Sequence, residues 1–101
     1  MANTLKALYR GAASTTLTTT LYTVPSSTTT VVTEIMVANT SASSATFTIY
    51  LDGVIIANTI TVAANDTTTI PCKQVLAATK TMQGGASSTS VNFSICGVEI
   101  A

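Results

Sequence analysis

Between Ala45 and Thr61 two β-branched runs stand on either side of an Asp52-Gly53 pair, and this arrangement constrains the chain more than any other stretch of it. Asp-Gly supplies the two positive-φ positions of a type I′ turn, whose twist matches that of the strands it joins, so the segment predicts a β-hairpin. On its first limb Phe47, Ile49 and Leu51 alternate with Thr46, Thr48 and Tyr50. A period of two sends the first three to one face, the expected core, and the hydroxyl-bearing three to the other.

The rest of the chain continues in the same idiom. Thr4 to Arg10 suits a strand or an extended arm, with Leu5, Ala7 and Tyr9 opposing Lys6, Leu8 and Arg10. Gly11 to Thr20, GAASTTLTTT, is a low-complexity run of small and hydroxyl residues, expected to be a loop or a flexible connection. Residues 1–18 therefore read either as an N-terminal arm or as the first strand, ahead of a single domain over 19–101. Strands are expected over Thr19 to Val24 and Thr30 to Ala38, with Pro25-Ser26-Ser27 turning between them. On the longer of these, Val31, Ile35 and Val37 are expected on one face and Val32, Glu34 and Met36 on the other, so both faces are partly apolar.

After the hairpin, Thr67 to Ile70 forms a strand that Pro71 confines to an edge or a strand end. Lys73 to Ala77 and Lys80 to Gln83 are short strand candidates, with Ala77 to Thr79 able to hold one helical turn. Gly84-Gly85-Ala86-Ser87-Ser88 reads as the last turn. In the closing strand Val91, Phe93 and Ile95 share a face, yet Val98 and Ile100 fall on the opposite parity. A β-bulge at Gly97 would return all five to one side. Seven to eight short strands without a trustworthy helical period predict an all-β fold, an antiparallel β-sandwich of Greek-key or jelly-roll type.

Composition decides what such a sandwich can touch. A length of 101 residues holds one core, and charged residues make up only 8%, with 22 Thr and 10 Ser standing where Lys and Glu usually stand. A neutral hydroxyl surface repels nothing, so much of it is expected to meet other protein, and the chain is expected to be a homo-oligomer. Lys6, Arg10, Lys73 and Lys80 balance Glu34, Asp52, Asp66 and Glu99, which leaves no basic stripe for phosphates; neither nucleic acid nor membrane is an expected partner. The first residues lack the apolar core of a secretory signal, so the chain is expected to be made in the cytoplasm. Cys72 and Cys96 are expected as free thiols more than as a disulfide.

The ingredients of catalysis are missing from the sequence. There is no His, and two Cys with scattered acids match no metal-ligand spacing, so no catalytic residue, cofactor or metal is expected. Asp52 and Asp66 sit in turns, where Asp serves local hydrogen bonds. Glu34, on an otherwise apolar strand, reads as half of a surface or interface ion pair. Gly84-Gly85 carries no phosphate-loop pattern, and the Thr-x-Thr pairs lack the fixed period of an ice-binding solenoid. The sequons at Asn39 and Asn65 count as chance matches without a secretory signal.

LYTVPSSTTTVVTEIMVANTSASSATFTIYLDG, then ANTITVAANDTTTI, then VNFSICGVEI together resemble a small β-rich module of virion structural proteins of tailed bacteriophages, over roughly Leu21 to Ile100. The resemblance implies a structural role in the virion, with no catalytic residues to carry over. It implies capsid decoration (cement) in many copies on the major capsid protein, with a tail-associated or fibre-associated role as an alternative, and a trimer as the oligomer. A host-surface carbohydrate-binding module is a second alternative, although the chain has no Trp and three scattered Tyr. The expected assembly interface comprises Leu5, Lys6, Leu8, Tyr9, Arg10 and Glu34: an apolar and aromatic patch bracketed by two bases, and the one acid that stands out of place.

Overall fold

A computed structural model describes residues 3–101. Met1 and Ala2, at the start of the arm reading, lie outside the described residues. Eight strands follow one another: β1 (Asn3–Ala12), β2 (Thr20–Thr23), β3 (Thr29–Asn39), β4 (Ala45–Leu51), β5 (Val54–Val62), β6 (Thr67–Leu76), β7 (Thr81–Ala86) and β8 (Val91–Ile100). The first sheet has the order β1-β8-β3-β6 and the second β2-β7-β4-β5, all antiparallel.

The topology follows from the hairpin. Asp52 and Gly53 both have positive φ, 53° and 75°, as a type I′ turn requires. From that tip the two halves of the chain run back antiparallel, pairing β4 with β5, β3 with β6, β2 with β7 and β1 with β8. The long double ribbon then wraps so that β8 also meets β3 and β7 also meets β4. That is the wrapping of a jelly roll. Its inner faces meet in one core, with Phe47, Ile49 and Ile35 fully buried and Phe47 edge-on to Phe93, ring centroids 6.1 Å apart at 72°.

Three readings of the sequence are corrected by the way strands sit against one another. First, the phase break at the end of the chain is not a bulge in β8. Gly97 stays in register on the inner face, and the extra residues belong to its neighbours: Leu8 in β1 and Thr33 in β3. A Cβ at Gly97 would lie 2.5 Å from the Val31 carbonyl oxygen and 2.7 Å from Leu8 Cδ1, so the glycine leaves the room that the bulged Leu8 fills. Val98 and Ile100 therefore keep the outward parity. Second, the Thr33 bulge places Val32 inside with Ile35 and Val37, and leaves Val31 outside. Third, Gly84 and Gly85 lie within β7, and the turn follows at residues 87–90. A Cβ at Gly84 would strike Ile49 Cδ1 at 2.8 Å, and one at Gly85 would strike the Thr16 carbonyl oxygen at 2.5 Å, so packing, not turning, demands both glycines.

Smaller differences have similar causes. The two short segments around Pro71 are one strand, β6, which tolerates the proline because it is the sheet edge and bulges at Cys72 and Lys73. Residues 77–79 form a turn with Thr79 at φ 69°, not a helical one. Thr48, expected outside, is buried, and its hydroxyl accepts the Thr59 amide at the β5 bulge. Within Gly11 to Thr20 the backbone is fastened: Gly84 N–H donates to the Thr19 carbonyl and Ala86 N–H to that of Ser14, both at 2.9 Å.

Candidate functional site

With the inner faces closed on each other, what remains for function is the outside of the two sheets and their edges. On the outer face of the first sheet, register alone lines up one row across all four strands: Leu5 beside Val98, Val98 beside Val31, Val31 beside Val75. The next row is Ala7, Cys96, Glu34 and Pro71, and the one beyond it Arg10, Ser94, Met36 and Thr69. Leu5 is 85% exposed, Val75 66% and Met36 39%. Leu5 and Val75 are the open ends of the first row, with Val31 and Val98 half-buried between them, and Met36 is the open apolar side chain of the third row; exposed apolar side chains gathered on one face of a chain with few charges are what a protein-binding surface shows.

A second apolar surface lies on the edge of the other sheet. Val54, Ile55, Ile56 and Ile60 of β5 are all exposed, and no Lys interrupts them. Two bulges in β5 break its ladder with β4, which turns this edge into a side-chain surface more than a template for another strand.

The six residues expected to form an interface separate in three dimensions. Leu5, Arg10 and Glu34 lie on the outer face just described. Arg10 is exposed and its Nε donates to Ser94 Oγ at 3.3 Å. Leu8 is buried over Gly97, and Tyr9 is half-buried with its hydroxyl donating to the Ala12 carbonyl at 2.8 Å. Lys6 turns to Glu99 at 3.3 Å. Glu34 forms no ion pair within the described residues, where the pairs are Lys6 with Glu99 and Lys80 with Asp52. The residues that sequence reasoning missed are Val31, Val75, Val98 and Ile100. Their signal was present as the parity break after Gly97, which marks a second, outward apolar face.

One end of the sandwich holds a polar cluster. Tyr22, buried, donates its hydroxyl to Glu99 Oε2 and lies 2.8 Å from Thr30 Oγ1. Burial, reinforced by the bond to the Glu99 carboxylate, pushes the Tyr22 pKa up to about 12. The same bond, with Lys6 assisting, holds the Glu99 pKa below the usual carboxylate value. At the other end the buried Asn39 fastens the loops: its Nδ2 donates to the Ser43 carbonyl at 2.8 Å and its Oδ1 accepts from the Ser41 amide at 3.0 Å.

Cys72 and Cys96 are free thiols on the two strands flanking β3. Burial pushes the Cys72 pKa up, and its Sγ–H donates to the Val32 carbonyl at 3.4 Å. The grooves are shallow. One of about 390 Å³ is lined by Thr33 and the β6 bulge, and another of about 330 Å³ by Asn39, Asn65 and Asp66 among others. Among the described residues no three His, Cys, Asp or Glu side chains come close enough to hold a metal ion, and no helix is long and apolar enough to cross a membrane.

No protein-family model matches the chain, and no curated protein matches it. Solved structures do. The chain is similar to one from the T13 viral particle of IBDV at 15% identity and a TM-score of 0.50, covering 96% of this chain and 30% of that one. It is also similar to a CBM35 from Paenibacillus barcinonensis (10% identity, TM-score 0.43, 100% of this chain and 90% of that chain). A third is a pentameric capsid protein isolated from metagenomic phage sequences (20% identity, TM-score 0.38, 94% and 58%). At 15% identity the likeness to the chain of the T13 particle is one of fold alone.

Proposed function

We propose that this chain is a non-enzymatic structural protein of a bacteriophage virion, a capsid decoration protein that binds the shell in many copies and associates with itself. The observation that carries the reading is the pair of separate exposed apolar surfaces, the outer face of the first sheet and the β5 edge, on a chain with only 8% charged residues. Two such surfaces suit a subunit with two kinds of neighbour, its own copies and another virion protein. The resemblance of LYTVP…NTS…GVEI to tailed-phage virion modules points the same way and implies a trimer at capsid three-fold positions.

Purified protein mixed with phage particles lacking it should co-sediment with them through a gradient, saturating at a fixed number of copies per particle. Binding to tails and not to heads would replace decoration by a tail role, and failure to bind either would remove the virion reading. A carbohydrate module would need an exposed aromatic platform, whereas Tyr22 is buried and Tyr9 and Tyr50 are half-buried. Specific signal on a glycan array would favour that reading over the one proposed.

A further inference from the structure

We propose that the bulge at Thr59, latched by the buried hydroxyl of Thr48, is the device that stops β5 from adding a strand of a second molecule, so that this edge meets its neighbours through side chains alone. A sheet edge needs such a device because its row of unpaired N–H and C=O groups is a template for another chain. The edges of the two sheets are β1, β6, β2 and β5. β1 carries Lys6 and Arg10, β6 carries Pro71 and Lys73, and β2 is only 4 residues long. β5 has none of these protections. Its sequence, VIIANTITV, holds no charge, no proline and no glycine, and Val54, Ile55, Ile56 and Ile60 are exposed. Uncharged, β-branched segments of this kind pair readily between molecules.

What β5 has instead is extra residues. One lies between the pairs Phe47–Ile60 and Ile49–Ala57, and another between Ile49–Ala57 and Tyr50–Ile55. The stretch left in phase beyond them is Ile60, Thr61 and Val62, shorter than the usual strand of about five residues. The bulge at Thr59 is held against its own backbone preference: φ is 51°, in the left-handed region that a β-branched residue avoids. Its N–H donates to the buried Thr48 Oγ1 at 3.2 Å, which ties the kink to β4. Strain of this sort persists where the surroundings over-determine it, and protection of the edge accounts for it here. Without Thr59, the residues Ala57, Asn58, Ile60, Thr61 and Val62 would run in one unbroken alternation along β4. Ala57, Ile60 and Val62 would still oppose the buried Ile49, Phe47 and Ala45. The core would keep its contacts, and the edge would become a regular uncharged strand of about five residues.

The test deletes Thr59 from the full chain and compares variant with parent by sedimentation velocity at micromolar concentration, with circular dichroism melts to check folding. The deletion variant should fold and should self-associate more than about tenfold more tightly, as species of about twice the parental mass or more. Thr61→Lys in the same background should return the mass to the parental value, because a lysine on an exposed edge resists pairing. Thr59→Gly, which relieves the backbone but keeps the extra residue, should stay at the parental mass. If the deletion variant does not fold, Thr48→Val replaces it: the Thr59 amide loses its side-chain acceptor, and the same gain in association, reversed by Thr61→Lys, must follow. A folded deletion variant at the parental mass, a gain that Thr61→Lys does not reverse, or a Thr59→Gly variant that associates like the deletion each overturns the proposal. Particle binding is a separate measurement, so the decoration reading and this device stand or fall independently.

Discussion

The two outer faces of the sandwich are made by the same alternation and end in opposite states. The face of the first sheet carries Leu5, Val31, Val75 and Val98 in one row, with Leu5 and Val75 open to water and the two between them half-buried. On the second sheet the same positions hold Thr46, Thr48, Tyr50 and Gln83, and the segment between β1 and β2 lies across Gly85. The second face is covered by its own chain and hydroxyls over β7 and β4, with exposed apolar side chains only on its β5 edge, whereas the first has apolar side chains across all four strands. The inner faces suffice to build the fold, so the outer positions are free to be set by what the molecule must touch.

The sharpest way to break this contrast is to remove the covering segment. Deleting residues 1–18 takes out Leu8 and Ala13, both buried, together with the Ser14 carbonyl that accepts the Ala86 N–H. It should abolish the cooperative thermal melt. A truncated chain that melts as the parent does would restore the arm reading for this segment. Next in size is the core that both faces share: Phe47→Ala and Phe93→Ala should each cost about 3 to 5 kcal/mol in chemical denaturation. Unequal losses would show that the two sheets are not equally committed to it.

A smaller effect, about 1.5 to 3 kcal/mol, is expected for Tyr22→Phe, which takes a hydrogen bond from the charged Glu99. The pH dependence has two limbs. Glu99 has a lowered folded pKa, so its contribution is present at neutral pH and fades as the pH falls through that lowered value. Tyr22 has a raised one, so its contribution holds below the unfolded pKa of about 10 and is lost as the pH climbs towards about 12. In Tyr22→Phe the alkaline limb should shrink, in melts recorded between pH 9 and about 12, to what the Cys72 thiol, its pKa also raised by burial, contributes; an unchanged limb would place the titration elsewhere.

Gly97→Ala and Gly85→Ala compare the two sheets directly. A methyl at Gly97 meets the Val31 carbonyl inside a central ladder, whereas one at Gly85 meets the overlying backbone of Ser14, Thr16 and Leu17. Gly97→Ala should cost about 1 to 3 kcal/mol, the usual range for overpacking, and Gly85→Ala less, because a surface segment lifts more readily than a paired strand. Proteolysis between Ala13 and Thr19 should quicken only in Gly85→Ala. Smallest of all, Leu5→Ser with Val75→Ser should move the melt by no more than about 0.5 kcal/mol while association, with itself or with the particle, weakens. A large loss of stability there would mean that these side chains serve their own fold.

Much of this molecule was legible along the chain. Asp52-Gly53 specified the tip of the roll, and the alternation of Phe47, Ile49 and Leu51, like that of Val91, Phe93 and Ile95, specified which side faces in, because turn chemistry and period are local properties. The strands around them were bounded to within a few residues on the same grounds. What only the tertiary structure decided was everything that depends on a neighbour. The parity break at Gly97 was visible, but its cause, bulges at Leu8 and Thr33 on the adjoining strands, belongs to residues far away in sequence. The same holds for Gly84 and Gly85, which read as a turn until the side chains and backbone packed against them are seen. The apolar outer face follows from the same rule: Leu5, Val31, Val75 and Val98 come from four separate strands and become one row only when the ribbon wraps, since register between strands is set by pairing and not by order along the chain.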